Sequence, residues 1–189
     1  TLAHGIRMSP RAVARVNELE ALKALANCGL MSSSQISAWV YPAGKTQTNK
    51  GKTQRLLARL ERSGQILRRQ VAAFRPGSVL GNHLIVWALS RAGASVVNQS
   101  LEVAGYRGWA HHGTDLGLML HGRHNLTIDF LARKRAEGWA VVGSPGIRAG
   151  VVDTRKFRDC DAVIARAEGD GFYTKGIIAV DDTRPCTQE

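Results

Sequence analysis

Between residues 52 and 62, cations and leucines are interleaved in a way that only a helix can sort. At about 100° per residue, Lys52, Arg55, Arg59 and Arg62 fall on one stripe. Leu56, Leu57 and Leu60 fall on another, whose centre lies more than a quarter turn away. A helix with this pattern must bury one side and leave a row of positive charge on the other. The wider stretch, residues 45–69, carries eight Lys or Arg against a single carboxylate, Glu61. Gly64 supplies the helix stop.

The elements around it follow from local signals. Ser9-Pro10 is a helix start, a capping hydroxyl followed by proline at the first helical position. Val16, Leu19, Leu22, Leu25 and Ala26 continue at helical spacing, and Cys28-Gly29 ends that helix. SSSQISAWVYP predicts a short, serine-capped helix with Ile36, Trp39 and Val40 as its apolar stripe and Pro42 as its stop. AGKTQTNKG is expected to be a polar loop leading into the basic helix. QILRRQVAAF predicts a strand carrying Arg68 and Arg69, residues 75–78 a turn, and HLIVWAL a buried strand; Ser90 caps a further short helix. Helix, helix, basic helix, strand, turn, strand, helix is the order of a winged helix-turn-helix, which puts its third helix in the DNA major groove and its hairpin along the backbone or minor groove.

Charge distribution sharpens the expectation. Residues 1–100 hold fourteen Lys/Arg and three Glu, whereas residues 101–189 hold twelve of each sign, so the whole net charge of +11 lies in the first half. A one-sided excess implies a polyanionic partner, and phosphate neutralisation with counterion release makes double-stranded DNA the leading one. Solvated charge on a small α/β domain is the ordinary explanation of such a run, but here element order, stripe geometry and charge asymmetry agree. The expected contacts are Lys45, Lys50, Lys52, Arg55, Arg59, Arg62, Arg68 and Arg69. No apolar run reaches the length of a membrane span, no segment combines a strong apolar face with aromatic anchors, and no membrane partner is expected. Three scattered cysteines, Cys28, Cys160 and Cys186, offer neither a zinc ribbon nor a disulfide framework, which fits a cytoplasmic protein.

The domain division expected is a DNA-binding unit over residues 1–100, a Gly- and His-rich linker over 101–123 with a short apolar helix around 116–120, and a small α/β unit over 124–189. In the last, residues 124–137 predict a helix, WAVVG a strand, SPGIRAG a loop, and residues 161–167 and 172–181 a hairpin. If Asp170-Gly171 is a two-residue turn, Asp182 becomes a diagonal neighbour of Asp161; an odd-length loop sets Asp181 opposite Asp161 instead. Either way two carboxylates approach on adjacent strands and repel unless a cation binds between them. Asp161, Asp181 and Asp182 are therefore candidate metal ligands, with Mg2+ or Mn2+ activating water for phosphodiester cleavage. Acidic residues at strand ends often simply face water, and that competing explanation is strong here. His111, His112, His121 and His124 lack acidic or thiol companions at ligand spacing and suggest phosphate contacts, caps or core positions more than a metal. None of Tyr41, Tyr106 and Tyr173 sits in a pattern that marks a DNA nucleophile.

LKALANCGLMSSSQISAWVYP, KTQRLLARLERSGQILRR and HLIVWALSRAGA resemble the winged-helix half of replication-relaxation proteins, and HNLTIDFLA, DAVIA and IAVDDTRP resemble their second half. The resemblance spans most of residues 15–185. It implies an α+β chain in which a winged helix-turn-helix precedes a small restriction-endonuclease-like domain of degenerate type. It also implies a role at a plasmid transfer or replication origin, with other mobilisation or replication proteins and a homodimer as partners. By the same resemblance His124, Asp161 and Asp181 take the places of the family's helix histidine and two hairpin acids. Asp181 stands where the family has Glu, and Thr183 where a further acid or lysine belongs, a departure that touches catalysis more than DNA binding. Two other functions are compatible with the residues: a metal-dependent nickase or relaxase, and a transcriptional repressor.

Overall fold

In a computed structural model the chain is described over residues 8–42, 46–72, 83–111, 122–169 and 171–178. It is a mixed α/β fold with two small antiparallel sheets. In order the described elements are α1 (Pro10–Cys28), β1 (Met31–Ser32), α2 (Ser33–Val40), α3 (Thr46–Arg62), β2 (Ile66–Ala72), β3 (His83–Leu89), α4 (Arg91–Val103), α5 (Gly122–Ala136), β4 (Ala140–Gly143), α6 (Ser144–Arg148), α7 (Thr154–Phe157), β5 (Ala162–Glu168) and β6 (Gly171–Ile177).

Capping chemistry sets most of the helix starts. The Ser9 hydroxyl accepts from the Ala12 N–H, with Pro10 inside the first turn. Ser32 and Gln35 satisfy each other's backbone donors in a capping box at α2. Ser90 accepts from Gly93 N–H and donates to the Gly64 carbonyl, pinning the start of α4 to the end of α3. Gly64 adopts a φ of 68°, a left-handed turn that only glycine enters without strain, and the chain reverses there from α3 into β2.

Four elements differ from expectation; one of them, α7, has no expected counterpart and starts on Asp153, whose carboxylate accepts from the Arg155 N–H. The loop predicted over 43–51 is helical from Thr46, because Asn49 is buried and donates to the Tyr41 carbonyl while Thr53 donates to the Asn49 carbonyl. Residues predicted as loop in SPGIRAG form α6, a short turn with Pro145 near its start. Met31–Ser32 add a short third strand, unpredicted, to the first sheet, whose order is β1-β3-β2. HLIVWAL is thus the central strand, paired on both sides, and its consecutive residues Val86 to Leu89 are all buried, so both faces of that stretch are covered and show no polar alternation. The helix predicted around residues 116–120 lies outside the described residues.

The C-terminal half of α1 is the hub. From Ala21 to Cys28 all residues but Lys23 are buried, and this stretch packs against both halves of the chain. Val16, expected in the core, is 47% exposed, because α1 is buried only over its last two turns. One apolar core joins Leu22, Leu25, Ile36, Leu56, Leu60, Ile66 and Leu89 of the first half to Ile128, Leu131, Ala162 and Ile164 of the second. Polar contacts cross the same seam. Asn27 Nδ2 donates to the Val141 carbonyl at 2.7 Å, and Asn27 Oδ1 accepts from Gly143 N–H at 2.9 Å. Arg135 donates to the Trp39 carbonyl and to Glu20 while its guanidinium lies over the Trp39 ring. Gln35 donates to Asp129 at 3.1 Å.

The second sheet runs β4-β5-β6. One face, through Ala162 and Ile164, enters the shared core; the other, through Val163, packs on Ile147 and Phe157. Glu168 pairs with Gly171, so the hairpin register is one residue earlier than an Asp170-Gly171 turn would set. This register differs from both of those considered from the sequence; the positions of Asp181 and Asp182 lie outside the described residues. Ala162 faces Ile177, and the Asp161 N–H donates to the Ile177 carbonyl at 2.8 Å, so the residues beside Asp161 on β6 are apolar.

Candidate nucleic-acid interface

On α3 the two stripes separate as the helical wheel requires. Leu56, Leu57 and Leu60 are buried together with Asn49 and Thr53. Lys52, Arg55, Arg59 and Arg62 are exposed. Lys50 is exposed too, but its position lies about 160° around the helix from the centre of the cation stripe. It belongs to the other flank of α3. Lys45 lies outside the described residues.

The four stripe cations are not equivalent. Arg59 Nε donates to Glu18 Oε1 of α1 at 2.8 Å, so its charge is largely neutralised in place. Arg55 Nε donates to the Gly51 carbonyl one turn back along its own helix, which leaves the guanidinium charge uncompensated. Among the described residues neither Lys52, Arg55 nor Arg62 pairs with a carboxylate.

Tyr41 joins this face, a residue that sequence reasoning set aside. Its hydroxyl pKa is raised, chiefly by partial burial, against the opposing pull of Arg59, a side-chain hydrogen bond with Asn17, and Arg55. The phenol therefore sits where the end of α2 meets the stripe. The only sequence signal for it was its place beside the Pro42 stop.

The two arginines of β2 part company. Strand geometry turns consecutive side chains to opposite faces. Arg68 pairs with Trp87 and shares the helix-packed face with Ile66; Arg69 pairs with Val86 on the reverse face. Both are exposed, yet they present two surfaces.

Asp161 sits just before β5, half-buried. Asp181 and Asp182 lie outside the described residues, as does the side chain of His124 in the first turn of α5. Among the described residues no three His, Cys, Asp or Glu side chains gather to hold a metal ion. No described helix is long and apolar enough to cross a membrane.

No protein-family model matches the chain, and no curated protein and no solved structure matches it either.

Proposed function

We propose that the protein binds duplex DNA through the outer face of α3 and the adjoining β2–β3 hairpin, as a winged helix-turn-helix does. What carries this reading is the row Lys52, Arg55 and Arg62: exposed, on one stripe, and without carboxylate partners among the described residues, on a helix whose opposite face is locked in the core. Unneutralised cations on a rigid element are what phosphate contact requires. The order α1-β1-α2-α3-β2-β3 and a sheet ordered β1-β3-β2 support the same reading. Arg68 extends the surface along the hairpin, and Tyr41 with Asn17 supplies hydrogen-bonding groups at its edge.

Action at a transfer or replication origin, with mobilisation or replication proteins as partners, rests on the family resemblance. Duplex binding is the first reading because the exposed cation stripe of α3 carries it, and metal-dependent cleavage is the alternative.

The test is fluorescence anisotropy on a labelled duplex across a salt series. Replacing Lys52, Arg55 and Arg62 together by Ala should weaken binding and lower the log–log salt slope by about 0.9 for each phosphate contact removed. An unchanged affinity and slope would remove the α3 face from the reading. Incubating supercoiled plasmid with Mg2+ or Mn2+, for the native chain and Asp161→Ala, separates binding from nicking.

A further inference from the structure

A second surface, on the other sheet, combines one exposed and one half-buried aromatic ring with unneutralised cations. Ala140 pairs with Ala165, which sets Trp139 beside Arg166, and Arg166 pairs with Tyr173. Trp139, Arg166 and Tyr173 thus form one row across the outer ends of β4, β5 and β6. Lys175, two residues further along β6, is on the same face.

The side chains touch one another. The Arg166 guanidinium lies 5.8 Å from the Trp139 ring centre, and Lys175 Nζ lies 5.1 Å from that of Tyr173. The two rings are 6.3 Å apart and tilted by 60°. Inward, this face is buried through Ile164 and Ala162; outward, Tyr173 is 39% exposed, Arg166 and Lys175 are exposed and Trp139 is half-buried. Neither cation pairs with a carboxylate among the described residues, although Glu168 follows Arg166 on the same face of β5.

Rings offer π-faces, and the cations beside them offer charge. A paired duplex keeps its base faces stacked internally and can use only the charge. An acidic peptide could likewise use only the charge. An unpaired strand uses both, with bases on the rings and phosphates on the cations. We infer that the Trp139–Arg166–Tyr173–Lys175 row is a platform for an unpaired nucleic-acid strand. It is carried by residues separate from the α3 face and does not depend on the duplex reading.

The experiment measures anisotropy of a labelled oligothymidylate of about fifteen residues and of a duplex of equal length. Tyr173→Ala should weaken oligothymidylate binding about five- to hundredfold, while Tyr173→Phe keeps it and both leave duplex binding unchanged. The Lys52/Arg55/Arg62 triple variant should show the converse preference. Tyr173 is exposed enough for its truncation to leave the fold intact, which circular dichroism checks; Trp139→Ala is the second aromatic variant. Absence of oligothymidylate binding overturns the platform. So does a pattern in which Arg166→Gln and Lys175→Gln weaken binding while both aromatic truncations do not. Displacement by polyglutamate as effective as by oligothymidylate of equal charge marks an acidic-peptide surface and also overturns it. Loss of duplex binding alone leaves the platform standing.

Discussion

Arg59 Nε donates to Glu18 Oε1 at 2.8 Å and so ties the basic helix α3 to α1 through a cation that the sequence pattern assigns to DNA. The pair is open to solvent, with side-chain exposures of 48% and 28%, so its worth to folding is at most about 1 kcal/mol. Its larger consequence is for charge. Arg59→Ala should cost less duplex affinity than Arg55→Ala, because Arg59 already has a counter-charge. Glu18→Gln, which releases Arg59, should tighten duplex binding and steepen its salt dependence by about one phosphate equivalent. Anisotropy titrations of the three variants decide the order; equal losses for Arg55→Ala and Arg59→Ala would show that Glu18 does not compete.

Stability and binding should separate along α3. Leu60 is 2% exposed in the shared core, so Leu60→Ala should cost about 2–5 kcal/mol in urea unfolding. Lys52→Ala, on the exposed cation stripe, should change stability by no more than about 0.5 kcal/mol. If Lys52→Ala destabilises as much as Leu60→Ala, the assignment of faces is wrong.

Most of what is local in this fold was legible in the sequence; α6, with Pro145 in its first turn, and α7, capped by Asp153, are the exceptions. Ser9, Ser90, Gly29 and Gly64 mark helix ends by side-chain chemistry or backbone freedom, and each does so in the structure. The leucine stripe of α3 required only helical periodicity. The rest depended on contacts that periodicity and composition do not show, most of them between residues distant in the chain. Thr46 to Gly51 looked like a polar loop, yet Asn49 is held in a helix by the carbonyl of Tyr41. Arg59 looked free until α1 supplied Glu18. Arg68-Arg69 looked like one patch until the pleat divided it. Trp139, Arg166, Tyr173 and Lys175 lie up to thirty-six positions apart and meet only because β4, β5 and β6 pair in this register. Asp161 shows the same sensitivity in reverse: a turn shifted by one residue sets apolar positions beside it.

The junction between the halves predicts a stability effect with a local signature. Asn27 satisfies the Val141 carbonyl and the Gly143 N–H with one buried amide. Asn27→Ala strands that N–H and carbonyl, and an unmet buried group costs about 1–3 kcal/mol. Gly143→Ala should also destabilise, since its Cβ would collide with the Asn27 carbonyl oxygen. Native-state amide exchange should show Gly143 losing protection in Asn27→Ala while residues in β2 and β3 keep theirs. Protection lost equally in both sheets would mean instead that the two halves open as one cooperative unit.

Cys28 gives a pH-dependent prediction with a definite sign. It ends α1 at the centre of the core, and burial pushes its thiol up to about 12. In the unfolded chain the same thiol titrates near about 8.5. Below that value both states hold the proton and the thiol has no effect on the pH dependence of stability. Above it the unfolded state loses the proton while the folded state keeps it, so stability falls as pH rises from the unfolded value toward about 12. Tyrosines and lysines titrate in the same window, so the readout is a difference. The melting temperature of the native chain should fall more steeply above the unfolded thiol value than that of Cys28→Ala. Thiol labelling checks the burial directly. In a Cys186→Ser background at neutral pH, the half-buried Cys160 should react in the folded protein, and Cys28 only after unfolding. Labelling of Cys28 at the rate of Cys160 would contradict its place in the core.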